Sequence, residues 1–319
     1  MYNDKKISLV IPAYNEQKLI KPTLENVPDI FDKIYVVDDF SPDNQNDVIR
    51  NCIKTDDRIE LIAHEENQGP GGAIITGYLK SSNDGYDIAV VVGGDFQMPL
   101  NEVKNLLDPI IQGRADYTKG NRFLLSQLET TLNRMPKTRL IGNWIITALT
   151  KIASGYYKIM DVVDGYTAIT KESIDTVDWS KAWKKYGYPM DFLIRLNAYG
   201  FRVMDVPRTA IYLEGERQSQ IKGLSYALKV SPMILRGFLW RLKFRYMFLD
   251  FHPLVLFYYF SFLLLPSGFI YGGYLFIKQY AYDANVTGPQ AILCALMLIM
   301  GMQFLLFAMF FDMQESNNN

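Results

Sequence analysis

The chain is poor in the residues that build covalent frameworks and metal cages. Its 319 residues include two cysteines, Cys52 and Cys294, and two histidines, His64 and His252. The cysteines lie far apart and share no motif, so neither a disulfide framework nor a zinc spacing is expected. Both read as ordinary apolar residues. So few histidines argue against a His-rich metal centre and against a catalytic triad. A dominant charge is also missing: 33 Lys and Arg against 34 Asp and Glu leave a formal net charge of −1. No overall basic field gathers nucleic acid, and no nucleic-acid partner is expected. No basic-then-apolar leader precedes the first apolar run, ISLVIPAY, so no secretory signal is expected there.

What is present falls into two characters. The first part alternates apolar runs with helical patterns. Strands are expected at residues 7–12, 33–39, 59–64 and 87–94, and helical spacing at 15–31, 44–55 and 73–82. Runs of Val and Ile without polar alternation suit strands covered on both faces, as in a parallel sheet. Strand–helix alternation of this kind implies a doubly wound α/β sheet, which binds ligands beyond the carboxyl ends of its strands. Those ends carry Pro12, Tyr14 and Glu16, then Asp38, Asp39, Ser41 and Asp43, then Asp95 and Gln97. Ser41 and Asp43 also suit capping of the next helix. Asp38 and Asp39 are adjacent acids, which repel unless a cation or hydroxyl partners them. The loop NQGPGG lacks the Gly-Lys-Ser/Thr ending of a phosphate loop and reads as a tight turn with close helix packing. Further on, a strand and basic loop are expected at 116–123, a helix at 138–155, a strand in YTAIT, a helix in GYPMDFLIRLNAYG and a strand at 201–207.

The second character begins beyond about residue 215. Residues 221–251 mix aromatic and apolar side chains with Lys222, Lys229, Arg236, Arg241, Lys243 and Arg245. They read as one or two amphipathic helices on a membrane surface. Two uncharged segments follow at 253–277 and 288–311, separated by a short polar loop. Each exceeds the roughly 20 residues that cross a bilayer. They are expected to form a transmembrane hairpin. The arginines and lysines before the first span put that side in the cytoplasm by the positive-inside rule, and the tail from Gln314 returns to it. The expected partition is a catalytic domain at 1–215, juxtamembrane helices at 216–250, the hairpin at 251–312 and a polar tail at 313–319.

Four motifs occur in order: IPAYNE (11–16), VVDDFSPD (36–43), NQGPGGAIITG (67–77) and VVGGDFQMP (91–99). As a set they resemble the family 2 glycosyltransferases of the GT-A fold, and among these the polyprenyl-phosphate sugar synthases such as dolichol-phosphate mannose synthase. The resemblance covers about residues 7–215, with looser matches at GNRF (120–123), DVVDGYTAIT (161–170) and FRVMDVPRTAIY (201–212). It implies a Rossmann-like, doubly wound, mostly parallel sheet. It also implies that Pro12, Tyr14, Glu16, Asp38 and Asp39 hold the nucleotide. Asp95 matches the last acid of the family's DxD motif and Gln97 a further metal position, for Mg²⁺ or Mn²⁺. Gly93 stands where many relatives have the first acid. Metal binding ahead of nucleotide is therefore expected to be weak, because Mg²⁺ is commonly held by one or two carboxylates together with substrate phosphates.

Arg122 and Arg139 resemble the residues that hold an acceptor lipid phosphate, which suits the paired donors of a guanidinium. Lys137 and Arg217 also suit this role, and the resemblance puts Arg217 and Ser219, in GERQSQIKG, near a segment that relatives close over the nucleotide. Asp191 lies where relatives acting on hydroxyl acceptors place a general base, and equally suits the first turn of a helix. Asp161 and Asp164 suit either an acceptor site or a structural turn. The expected activity is transfer of a sugar, with inversion, from a nucleoside diphosphate sugar to a polyprenyl phosphate at the cytoplasmic membrane face. Asp95, Asp191 and Arg122 are the catalytic candidates. A transferase acting on a hydroxyl and a nucleotide-binding scaffold stand as alternatives. The oligomeric state is left open, with a homo-oligomer compatible.

Overall fold

The computed structural model describes residues 1–124, 137–211 and 223–318. They form two compact units, Met1–Phe238 and Leu239–Asn319.

The first unit is built on a 7-stranded mixed sheet in the order β3-β2-β1-β4-β6-β5-β7. The strands are β1 (Ile7–Ala13), β2 (Lys33–Asp38), β3 (Ile59–Ala63), β4 (Ile88–Val91), β5 (Tyr117–Asn121), β6 (Thr167–Thr170) and β7 (Val203–Pro207). β1, β2 and β4 are buried almost throughout, which explains their unbroken Val and Ile. β1, β2, β3 and β4 run parallel, and β5 and β7 run parallel to each other. β6 is antiparallel to both β4 and β5. That reversed strand decides where the site lies. Val91 at the end of β4 pairs with Thr167 at the start of β6, and Lys119 near the end of β5 pairs with the same residue. Asn121 pairs with Pro207 at the end of β7. The carboxyl ends of β1, β2, β4, β5 and β7 therefore share one edge with the turn that enters β6. The strand order reverses between β1 and β4, which is where such sheets open a crevice.

The helices of this unit are α1 (Ile20–Glu25), α2 (Gln45–Ile53), α3 (Pro70–Asn83), α4 (Val103–Ile111), α5 (Lys137–Ser154), α6 (Lys171–Thr176) and α7 (Tyr188–Ala198). The helical spacing at 15–31 yields only the short α1. Residues 15–19 serve the sheet edge instead, and Pro22 and Pro28 limit a longer run. Proline at the first turn of α3 follows Gly69, whose φ is 91°. Cβ atoms at Gly69 and Gly71 would lie within 2.8 Å of the Lys184 carbonyl oxygen. One at Gly77 would lie 2.2 Å from Val10 Cγ1 on β1. The glycine loop is thus a tight turn that brings α3 onto the sheet, as the missing phosphate-loop ending indicates.

α8 (Gly223–Lys243) spans the boundary between the units and ends in a π-turn at Phe244–Leu249. α9 (Leu254–Ala281) and α10 (Gly288–Asn318) pack as a pair. Both are long and apolar enough to cross a membrane. Close packing comes from Gly268 against Leu298 and Gly301 against Leu265. Most of their apolar surface faces outward; Ile270, for example, is 75 % exposed. A soluble core helix would bury that surface.

Candidate active site

Three parallel strands end alike. Asn15, Phe40 and Phe96, beyond β1, β2 and β4, have left-handed φ values of 59°, 60° and 54°. That backbone costs a residue with a side chain about 1–2 kcal/mol. Such strain concentrates where the fold must aim groups at a ligand. Beyond β1, Tyr14 is 49 % exposed and presents an open aromatic face. The following loop is pinned to the β2 loop. Asn15 N–H donates to Ser41 Oγ (3.1 Å), Glu16 N–H to Gln45 Oε1 (3.0 Å) and Gln17 N–H to Asp43 Oδ2 (2.9 Å). Ser41 and Asp43 thus join two loops, and α2 has no side-chain cap at Asn44.

The adjacent acids are partnered by uncharged donors. Asp38 accepts from Gln45 Nε2 (2.5 Å), Asn46 Nδ2 (2.9 Å) and Ser41 N–H (3.2 Å). Asp39 accepts from Gln68 N–H (2.8 Å) and Gly69 N–H (2.7 Å), and its Oδ1 lies 2.8 Å from His64 Nδ1. His64 Nε2 reaches Thr76 Oγ1 at 2.9 Å. Asp39 thereby fixes the glycine loop beside β2, and both carboxylates are buried.

Asp95 differs from these two. It is half-buried beyond β4, and its Oδ1 accepts from Gln97 N–H at 3.2 Å. Among the described residues no Lys or Arg forms an ion pair with it. Burial pushes its carboxyl above the usual value. The N–H groups of Gln97 and of Asp95 itself and the charge of Arg208 act the other way without cancelling that. A Cβ at Gly93 would lie 3.0 Å from Asp95 Oδ1, so glycine here gives the carboxylate room to fold back. Among the described residues no group of three His, Cys, Asp or Glu is arranged to hold a metal ion. A lone, under-compensated carboxylate nevertheless fits a divalent cation that takes its remaining ligands from a substrate.

Behind this loop lies a buried ionic cluster. Arg122 donates through Nε and Nη2 to Asp161 at 2.7 and 2.9 Å, and its Nε is 3.3 Å from Asp164. Arg208 grips Asp164 through Nε (2.8 Å) and Nη2 (2.7 Å), and its Nη1 donates to the Gln97 carbonyl at 3.2 Å. Lys119 donates to the backbone carbonyls of Asp161 and Asp164. Asp205 accepts from Asn121 Nδ2 (2.6 Å) and Met160 N–H (2.7 Å). Arg122 and Arg208 thus pair with Asp161 and Asp164, whereas Asp205 is held by uncharged donors. Burial pushes the Asp161 carboxyl up, but the charge and hydrogen bonds of Arg122 outweigh it and hold it at about 2. Burial raises Asp205 to about 6, although Lys119 opposes this. Its Oδ1 is buried without a hydrogen-bond partner.

Asp191, in the first turn of α7, is also committed. Its Oδ2 accepts from Arg195 Nε (2.7 Å) and Trp183 N–H (2.8 Å). Tyr188, one turn earlier, is half-buried, and its hydroxyl lies 2.7 Å from where a Cβ at Gly165 would stand. The backbone of Arg139 and Lys137 forms the start of α5, but their side chains, and all of Arg217 and Ser219, lie outside the described residues. Sequence reasoning passed over Lys119, Arg208, Asp205 and Tyr188. The signal for Arg208 was a charge directly after the last strand, at the same edge as the other motifs.

The strained strand ends, one under-compensated acid and a neighbouring ionic cluster thus gather at one edge of a doubly wound sheet, where such sheets bind ligands. A model described as Glycosyl transferase family 2 matches residues 8–178, and the chain belongs to that family. It is 31 % identical over 224 residues to the UDP-N-acetylglucosamine–dolichyl-phosphate N-acetylglucosaminyltransferase of Methanococcus voltae, covering 66 % of this chain and 88 % of that one. It is 26 % identical to the undecaprenyl-phosphate mannosyltransferase of Micrococcus luteus, over 66 % of this chain and 84 % of that one. Among solved structures it is similar in fold to glucosyl-3-phosphoglycerate synthase from Mycobacterium tuberculosis in complex with Mn²⁺, UDP and phosphoglyceric acid. The TM-score is 0.52 at 16 % identity, over 75 % of this chain and 78 % of that one. The protein is a glycosyltransferase with a GT-A fold, related to polyprenyl-phosphate sugar transferases.

Proposed function

We propose that this glycosyltransferase moves a sugar, with inversion, from a nucleoside diphosphate sugar to a polyprenyl phosphate at the cytoplasmic face of a membrane. The observation that carries the reading is Asp95, a strand-end carboxylate that forms no ion pair among the described residues, beside the edge where residues 120–122 and 161–165 converge. The relatives named above act on dolichyl or undecaprenyl phosphates by their names, which supports an acceptor of that class.

Pro12, Tyr14 and Glu16 are assigned to the base, and the loops fixed by Asp38 and Asp39 to the ribose side. Asp95, with Gln97 beside it, would hold Mg²⁺ or Mn²⁺ together with the donor's phosphates. A divalent cation there would offset the negative charge that grows on the departing diphosphate. Arg122 and Arg139 are assigned to the acceptor phosphate. Arg122 is already balanced by Asp161, so it contributes directed hydrogen bonds, and Arg139 contributes net charge. An oxygen of the acceptor phosphate attacks the anomeric carbon as the bond from that carbon to the diphosphate breaks. That oxygen is already ionised, so no strong general base is required. A hydroxyl acceptor would need one, and Asp191 is held by Arg195 and the Trp183 N–H, which disfavours it in that role.

The chain is assigned to a membrane through α9 and α10 as a hairpin. The outward face of α8 supports this, since it carries exposed Leu228, Leu235 and Leu239 together with Lys229, Arg236 and Lys243.

The test is transfer of labelled sugar from a panel of nucleotide sugars to a short polyprenyl phosphate by the purified full chain, with Mg²⁺ or Mn²⁺. Polyprenol serves as the hydroxyl control. Label should reach the phosphate and not the alcohol. Asp95→Ala should lower the rate at least about 100-fold with an unchanged circular dichroism spectrum. Full activity in that variant would sink the metal assignment.

A further inference from the structure

One side chain bridges the two halves of the edge, and the transfer proposed above gives it no part. Tyr188 stands in the first turn of α7, behind Gly187, whose φ is 107°. Its Cβ packs on the glycine loop: a Cβ at Gly71 would lie 2.7 Å from it. Its hydroxyl reaches the turn that enters β6: a Cβ at Gly165 would lie 2.7 Å from that oxygen and 3.6 Å from Met98 Cε. The ring is therefore laid from the nucleotide side of the edge toward the ionic cluster. Phe192 holds it edge-to-face at 5.2 Å.

The surroundings of the hydroxyl are fixed. Asp164, just before Gly165, is gripped by Arg208, its carbonyl accepts from Lys119 (2.8 Å), and its Oδ1 accepts from Tyr166 N–H (2.8 Å). Met98 is pinned as well. Gly93 N–H donates to its Sδ at 3.2 Å, and its Cε lies 3.7 Å from where a Cβ at Gly93 would stand. Met98 thus lies between two glycines, with Asp95 Oδ1 beside Gly93 and the Tyr188 hydroxyl beside Gly165. A side chain at either glycine would fill this space or push a polar group out of it.

The hydroxyl is not spent within the protein. Among the described residues it has no hydrogen-bond partner, and Tyr188 is half-buried. Burial pushes its phenol above the usual value, with Tyr117, Asp164 and Asp95 adding to this, so the group stays protonated. An uncharged group that both donates and accepts suits a sugar hydroxyl, which does the same. A diphosphate is better met by cations. In the transfer proposed above, the sugar lies between Asp95 and residues 161–165, and the Tyr188 hydroxyl stands in that interval.

We infer that the Tyr188 hydroxyl hydrogen-bonds a hydroxyl of the transferred sugar, above the floor that Met98 forms between Gly93 and Gly165, and so helps set which sugar is accepted. The inference rests on the transferase reading above.

The experiment uses the purified full chain in detergent, a short polyprenyl phosphate, and the nucleotide sugar selected by the panel above together with its monodeoxy analogues. Tyr188→Phe should keep the wild-type melting temperature. It should bind the nucleoside diphosphate, which carries no sugar, as tightly as the wild type in calorimetry. Its kcat/KM for the selected donor should fall about tenfold, the worth of one hydrogen bond. The wild type should reject one monodeoxy analogue, and Tyr188→Phe should use that analogue as well as the wild type does. Gly165→Ala should push the hydroxyl aside and lower kcat/KM by a similar factor. Added to Tyr188→Phe it should cost less than about twofold more, because the nearest atoms left are at 3.6 and 4.0 Å. If Tyr188→Phe transfers the selected donor at the wild-type rate, the inference falls and the transferase reading stands. If affinity for the nucleoside diphosphate drops along with the rate, the hydroxyl serves the diphosphate and the sugar assignment is overturned. A loss of equal size for every analogue would mean that the phenol acts through another group, which also overturns it. If the wild type moves no sugar to polyprenyl phosphate, the transferase reading fails and this inference with it.

Discussion

At the scale of single residues, the site is arranged around how each acid is compensated. Asp38 and Asp39 are fully supplied by amide, imidazole and backbone donors, and so shape loops. Asp161 and Asp164 are supplied by guanidinium groups. Asp95 receives an N–H and a distant charge, which leaves it the acid suited to an incoming cation. Gly93, in the sequence a missing ligand, is in the structure the space into which the Asp95 carboxylate folds. Asp205 carries a consequence for pH. Burial lifts its carboxyl to about 6, above an unfolded value of about 4. The folded state therefore binds this proton more tightly. The stability tied to the protonated form is complete below about pH 4 and is lost as pH rises through about 6. Asp205→Asn should raise the apparent melting temperature of the detergent-solubilised chain at pH 8 by a few degrees. It should also flatten the dependence between pH 4 and 6. A variant whose profile overlays the wild type would show that Asp205 is not the group responsible.

At the scale of elements, Val- and Ile-rich strands and the spacing of α2, α3, α5 and α7 could be read directly, because burial on both faces and helical periodicity leave local patterns. Two features could not. α1 shrank to six residues because the loop before it is tied to the β2 loop through Ser41, Asp43 and Gln45. β6 runs against its neighbours, and strand direction has no local code. The packing of α3 on β1 makes a prediction at this scale. Gly77→Ala would drive a methyl into Val10 and should destabilise the chain by about 1–3 kcal/mol, the usual cost of overpacking. Val10→Ala opens the same space. The double variant should therefore lose less stability than the sum of the single ones, read by thermal unfolding. Strict additivity would contradict the contact.

At the scale of the whole molecule, the second unit is organised by one buried charge pair. Arg241 donates to both oxygens of Asp312 at 3.0 and 2.7 Å, and both side chains are fully buried. The Tyr246 hydroxyl adds a hydrogen bond at 2.9 Å. Removing one partner strands the other. Arg241→Met should cost about 3–5 kcal/mol, whereas Arg241→Met with Asp312→Leu should recover most of it. The check is the apparent melting temperature in detergent, and equal loss in both variants would refute the pairing. The sequence alone determined the class of fold, the family and the two apolar segments, because hydrophobic period, length and motif order are local properties. Only the tertiary structure decided which charges are spent. Arg122 meets Asp161 and Arg208 meets Asp164 across 39 and 44 residues of chain. Those pairings exist because the reversed strand β6 carries its entering turn to the same edge as β5 and β7, and no local pattern encodes that meeting.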